Sequence, residues 1–104
     1  MVNDFAAALS EALRLIASAD AQLAQIVAGN PGNVLARYGL AMEYAQLGDH
    51  TRALENFRTL MAASPNYVAA YYQAGRVLHS LGDDVQARAV LEQGIEACGR
   101  ANDA

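Results

Sequence analysis

Between Asn33 and Leu47 apolar residues return at steps of three and four, so that Leu40, Ala41, Tyr44 and Leu47 share one side of a predicted helix. Gly48 follows, suited to the left-handed residue that closes a helix, and Asp49 is a good cap for the next one. That second helix has Ala53, Leu54, Phe57, Leu60 and Met61 on its apolar face and should stop near Ser64-Pro65, because the residue before a proline disfavours helical geometry. Asn66 is the expected cap of a third helix running to Leu81, and Gly82 with Asp83 or Asp84 repeats the turn. A last helix carries the apolar residues Val85, Ala89, Leu91 and Ile95. With two prolines and no alternating Val/Ile/Thr-rich run, the chain reads as all-α.

The pattern says the same thing twice. Leu47-Gly48-Asp49 and Leu81-Gly82-Asp83 lie 34 residues apart, and the same offset pairs Val34 with Val68, Ala36 with Ala70, Tyr38 with Tyr72, Ala53 with Ala87 and Pro31 with Pro65. One unit earlier it links Ala19 to Ala53 and Leu23 to Phe57. Matches that fall where helices touch or turn are the mark of a stacked repeat. The small residues have a mechanical purpose. Ala41 and Gly75, with Ala53 and Ala87, let the two helices of a unit approach backbone to backbone, while Leu40, Tyr44 and Phe57 fill the space around the crossing.

This spacing resembles the tetratricopeptide repeat. Its pattern of tryptophan, leucine, glycine, tyrosine, alanine, phenylalanine and proline falls on Arg37, Leu40, Ala41, Tyr44, Ala53, Phe57 and Pro65 in the first full unit. In the second unit it falls on Tyr71, Ala74, Gly75, Leu78, Ala87, Leu91 and Gly99, with Gly99 where the proline would stand. The resemblance implies a short right-handed helical-repeat solenoid of antiparallel helix pairs, about two and a half units long. The expected divisions are an N-terminal helical segment over residues 1–30, repeats over 31–65 and 66–99, and a tail over 100–104. In the first segment Phe5, Leu9, Ala12, Leu13 and Ile16, and then Leu23, Ile26 and Val27, keep a helical phase without an intervening Gly or Pro. Repeat register predicts two helices there; the unbroken phase permits one long helix.

Hydrophobic residues make up 54% of the 104, enough for a core, although much of this is alanine, which buries little area per residue. The formal net charge is −4, and the seven basic residues, all arginine, are scattered from Arg14 to Arg100 with acids near most of them. No basic stripe forms, so neither nucleic acid nor an anionic membrane surface is an expected partner. The start of the chain has no basic leader, and no run reaches the roughly 20 apolar residues that span a bilayer. The single Cys98 suits a reducing compartment, and a cytoplasmic location is expected.

Chemistry is sparse. His50 and His79 stand 29 residues apart without a Cys/His/Asp cluster at ligand spacing, and His50, beside a turn, is expected to be solvated. Nucleophile elbow, phosphate loop and paired-histidine zinc motif are all missing. A non-catalytic protein without cofactor or metal is the expectation.

What remains is surface. One stripe of the first helix carries Leu35, Tyr38, Met42 and Gln46, and its counterpart carries Ala69, Tyr72, Arg76 and His79. Stacked repeats curve and line their concave side with first helices. Leu35, Tyr38, Met42, Tyr72, Arg76 and His79 are thus the candidate groove for a protein or peptide partner that is apolar or mildly acidic. The alternative for Tyr38 and Tyr72 is that they fill space between units. Some tetratricopeptide repeats grip a C-terminal carboxylate with Lys and Asn; the matching positions here are Tyr38, Met42, Gln73 and Arg76, so that resemblance fails apart from Arg76. A second expectation is a self-associating homodimer. It would use the N-terminal helix or an uncapped C-terminal edge exposing Val85, Leu91 and Ile95, unless the chain is a piece of something longer.

Overall fold

The structure, a computed structural model, describes residues 6–9, 24–30 and 32–102. Four helices follow one another: α1 (Val34–Gln46), α2 (His50–Ala63), α3 (Val68–Ser80) and α4 (Asp84–Asn102). Residues 24–29 are helical as well, with Val27 buried, and so are residues 6–9. Whether one helix or two precede α1 turns on residues 10–23, which lie outside those described.

Both inter-helix turns expected from sequence form, and by the same hydrogen bonds. Gly48 has φ +80° and Gly82 φ +79°. In the first turn the Gly48 amide donates to the Ala45 carbonyl (3.2 Å) and the Asp49 amide to that of Tyr44 (2.9 Å). In the second, Gly82 donates to His79 (2.9 Å) and Asp83 to Leu78 (3.0 Å). This paired pattern satisfies the last carbonyls of a helix and requires a left-handed residue, hence glycine. The aspartate that follows caps the next helix, Asp49 accepting from the Arg52 amide (3.2 Å) and Asp83 from that of Gln86 (3.1 Å).

The turn between units departs from expectation. Asn66 does not cap α3; Tyr67 occupies the cap position and makes no side-chain cap bond. Asn66 instead accepts a hydrogen bond from Arg100 Nε (3.0 Å), while Arg100 Nη2 and the Tyr71 hydroxyl both donate to the Pro65 carbonyl (3.1 and 2.8 Å). The last turn of α4 is thereby tied back to the start of its own unit. Helix α4 also runs past Gly99 to Asn102, into residues expected to be tail, because glycine, unlike proline, keeps its amide.

The core lies where α1, α2 and α3 meet. Ala41, Ala53, Phe57, Leu60, Ala70, Ala74 and Val77 form one buried cluster, each at most 5% exposed. Half-buried Tyr38, Met42, Tyr44 and Met61 pack around it. Ala53 is fully buried at the α1–α2 crossing, as the small-residue argument requires. In α4 the edge carrying Val85, Leu91 and Ile95 is exposed, as its lack of a covering helix suggests, and other residues are buried. Ala87, Gly94 and Ala97 point inward with Val90 beside the core, whereas Val85 is 83% and Ile95 73% exposed. The reason is close approach. A Cβ on Gly94 would lie 2.8 Å from Tyr71 Cβ, so α4 turns its smallest residue, rather than its largest, toward α3.

Candidate functional site

Helices α1 and α3, the first members of successive units, border a cleft of about 330 Å³. Met42, Ala45 and Gln46 of α1 form one wall, Gln73, Arg76, Val77 and Ser80 of α3 the other, and His50 at the start of α2 closes one end. The repeat explains the pairing: Met42 and Arg76 are one 34-residue period apart, as are Gln46 and Ser80. Apolar Ala45 and Val77 therefore sit between flexible polar arms.

The candidate residues from sequence are distributed unevenly. Met42 and Arg76 come together in the cleft. Tyr38 does not line it; its ring packs edge-on against Phe57 (centroids 6.0 Å) and against Tyr67 (5.5 Å), between the two units. Tyr72 is 56% exposed and borders a separate depression with Leu91 and Ile95, with the Arg76 guanidinium 5.8 Å above its ring. Leu35 is exposed and outside the cleft lining. His79 is exposed too, with Nδ1 2.7 Å from an Asp84 carboxylate oxygen.

His50 and Ser80 belong to the lining but not to the expected stripe. The cleft follows a face of α3 through Gln73, Arg76, Val77 and Ser80, one step around from Tyr72 and His79. His50 is half-buried rather than solvated, and its Nδ1 is shut from solvent with no partner among the described residues. Adjacency to a turn misled here, because His50 shares the cleft with Gln73, Arg76, Val77 and Ser80 of α3.

Electrostatics are simple. No carboxylate pairs with Arg76 among the described residues, so a cation stands free at the cleft while Arg52, Arg88 and His79 have acidic neighbours. Among the described residues no group of three or more His, Cys, Asp or Glu could hold a metal ion. No described helix is long and apolar enough to cross a membrane.

Two tetratricopeptide repeat models match the chain, one over residues 44–97 and one over residues 2–67. A TPR repeat-containing protein of Pseudomonas aeruginosa is 31% identical over 81 residues, covering 78% of this chain and 77% of its own. The photosystem I assembly protein Ycf3 of Acaryochloris marina is 32% identical over 56 residues, which are 54% of this chain and 34% of that protein. Two crystal structures of MamA superpose with TM-scores of 0.81 and 0.78 at 21% and 22% identity, covering 88% and 85% of this chain. The chain spans 54% and 48% of those solved chains, about half their length, so the likeness is one of fold. With the helix pairs, their 34-residue period and the repeated glycine turns, these matches show that the chain is an all-α repeat solenoid and belongs to the tetratricopeptide repeat family of protein-interaction modules.

Proposed function

We propose that the cleft between α1 and α3 binds a peptide or helical segment of a protein partner, without catalysis. The observation that carries this is the Arg76 guanidinium, without a carboxylate partner among the described residues, set beside Met42, Ala45 and Val77. Methionine adapts to irregular apolar partners, glutamine arms at positions 46 and 73 can follow a peptide backbone, and arginine holds a carboxylate by two parallel bonds. A volume of about 330 Å³ takes a few side chains rather than a large cofactor. The preferred partner is therefore apolar with one acidic residue. Tyr72 belongs to this reading through its stacking with Arg76, while Leu35, Tyr38 and His79 lie outside the cleft lining. The lone, exposed Cys98 suits a cytoplasmic setting.

The test is selection of a random peptide library on the immobilised chain, followed by titration of the enriched peptides against wild type, Met42→Glu and Arg76→Glu. Enrichment of apolar peptides bearing an Asp or Glu, with binding weakened about tenfold or more by Arg76→Glu, supports the cleft. Peptides that bind both variants as well as wild type would place recognition elsewhere.

A further inference from the structure

His50 and Asp84 hold the same position one period apart, each the first residue of its unit's second helix. Asp84 is tied back across its turn, with one carboxylate oxygen 2.7 Å from Nδ1 of His79. The residue that corresponds to His79 in the first unit is Ala45, which has no side-chain group to bond. His50 therefore lacks the internal contact that its position makes in the second unit. Its Nδ1 is shut from solvent and has no partner among the described residues. The ring closes the end of the cleft that Ala45 helps to line, with Arg76 on the α3 wall.

We propose that His50 is the second contact for the partner's acidic side chain, and that capture of that side chain takes up a proton. The proposal rests on the reading of the cleft as a binding site. Arg76 and His50 are the two lining residues that can carry charge, and both can only be positive. The charged groups of the adjoining elements are engaged elsewhere or stand outside the lining. Asp49, next to His50 in the chain, caps the Arg52 amide and pairs with the Arg52 guanidinium at 3.6 Å. Arg52 in turn stands over the Tyr44 ring of α1, and Glu43 of α1 is not part of the lining. Neutral imidazole offers one N–H, whereas the protonated ring offers two donors and a charge. The cleft, about 330 Å³, is small enough that a carboxylate on Arg76 is felt at His50 with little screening. The carboxylate and the proton then favour each other's binding, and the coupling is reciprocal. Affinity for an ionised acidic side chain should rise as pH falls through the range in which histidine gains its charge, roughly pH 8 to 5. His79 has no such part, since it lies outside the cleft with Nδ1 already against Asp84.

The probe is the tightest-binding peptide with one Asp or Glu and no His that a random library yields on the immobilised full chain at about pH 6. Its Kd is read by fluorescence anisotropy from about pH 7.5 down to about pH 5.5, where Asp and Glu remain ionised. Binding should tighten at least about threefold over that interval. His50→Gln should flatten the profile, and so should amidation of the peptide's acidic residue, whereas His79→Gln should leave the slope of wild type. Circular dichroism and melting curves establish that His50→Gln is folded. Calorimetry of the wild-type chain in two buffers of different protonation enthalpy should show proton uptake on binding, a reading that needs no variant. A flat wild-type profile, or a slope that survives His50→Gln while Arg76→Glu still weakens binding, overturns the role of His50 and leaves the cleft standing. Binding indifferent to Arg76→Glu, or a library that yields no acid-bearing peptide, sinks both readings.

Discussion

Tyr38 and Tyr72 occupy the same register one period apart, yet the first has its ring wedged between Phe57 and Tyr67 while the second is 56% exposed. What separates them is whether a further helix lies across the unit. Tyr38→Ala should therefore lose about 2–3 kcal/mol of stability in equilibrium urea denaturation, below the range for a fully buried aromatic because this ring is half-buried. Tyr72→Ala should stay within about 0.5 kcal/mol of wild type and keep its helicity. Equal losses at the two positions would mean that Tyr72 is core in solution.

The two glycines of the α3–α4 contact should respond differently to a methyl group. A Cβ on Gly94 would meet Tyr71 Cβ at 2.8 Å, an atom anchored directly to the backbone of α3. Overpacking should outweigh the gain in helix propensity, leaving Gly94→Ala about 1 kcal/mol less stable. A Cβ on Gly75 would meet Leu91 Cδ2 at 2.6 Å and Cγ at 2.7 Å, so the Leu91 side chain, 40% exposed, must change rotamer, whereas no backbone-anchored atom stands in the way. Gly75→Ala should then fall within about 0.5 kcal/mol of wild type, contact and propensity offsetting each other. Thermal melts of the two variants side by side decide the matter.

At the turns no side chain obstructs a Cβ on Gly48 or Gly82, so the cost of substitution there is purely conformational. Gly48→Ala and Gly82→Ala should each lose about 1–2 kcal/mol, the penalty of a left-handed alanine, and Gly48→Asn less. Chemical denaturation of the three variants would show it, with the asparagine in between.

The Pro65 carbonyl accepts from both Tyr71 and Arg100. Tyr71→Phe removes the bond from a residue 6% exposed and should cost about 1 kcal/mol. Arg100→Ala acts at an exposed position where water replaces the guanidinium, and should cost less than about 1 kcal/mol. A double variant more destabilised than the sum of the two would show that they share the load on one acceptor.

Much of the fold was legible in the pattern because its signals are local. Leu47-Gly48-Asp49 carries its own turn: glycine supplies the left-handed residue and aspartate the next cap, whatever lies elsewhere in the chain. Ala41, Ala53 and Phe57 are buried as their helical spacing and size suggest. Asn66 misled because a cap and a distant acceptor look alike in sequence, and it is Arg100, 34 residues on, that engages it. The exposed apolar edge of α4 was legible, but which residues the helix buries was not. Hydrophobicity alone favours burying Leu91 and Ile95, but backbone proximity to Tyr71 admits only a glycine at that crossing.

The candidate site shows the same division. That first helices line a shared surface, and that Met42 and Arg76 fall together, follows from period and helix geometry. That His50 closes the cleft, that Tyr38 is covered and Tyr72 open, does not, because each depends on which neighbour lies across it. The sequence by itself determined the helices, their turns and the 34-residue repeat, all set by interactions within a few residues of one another. Only the tertiary structure decided which of two identical side chains is core and which is surface. A repeat writes the same residue twice, and burial depends on the unit stacked beside it.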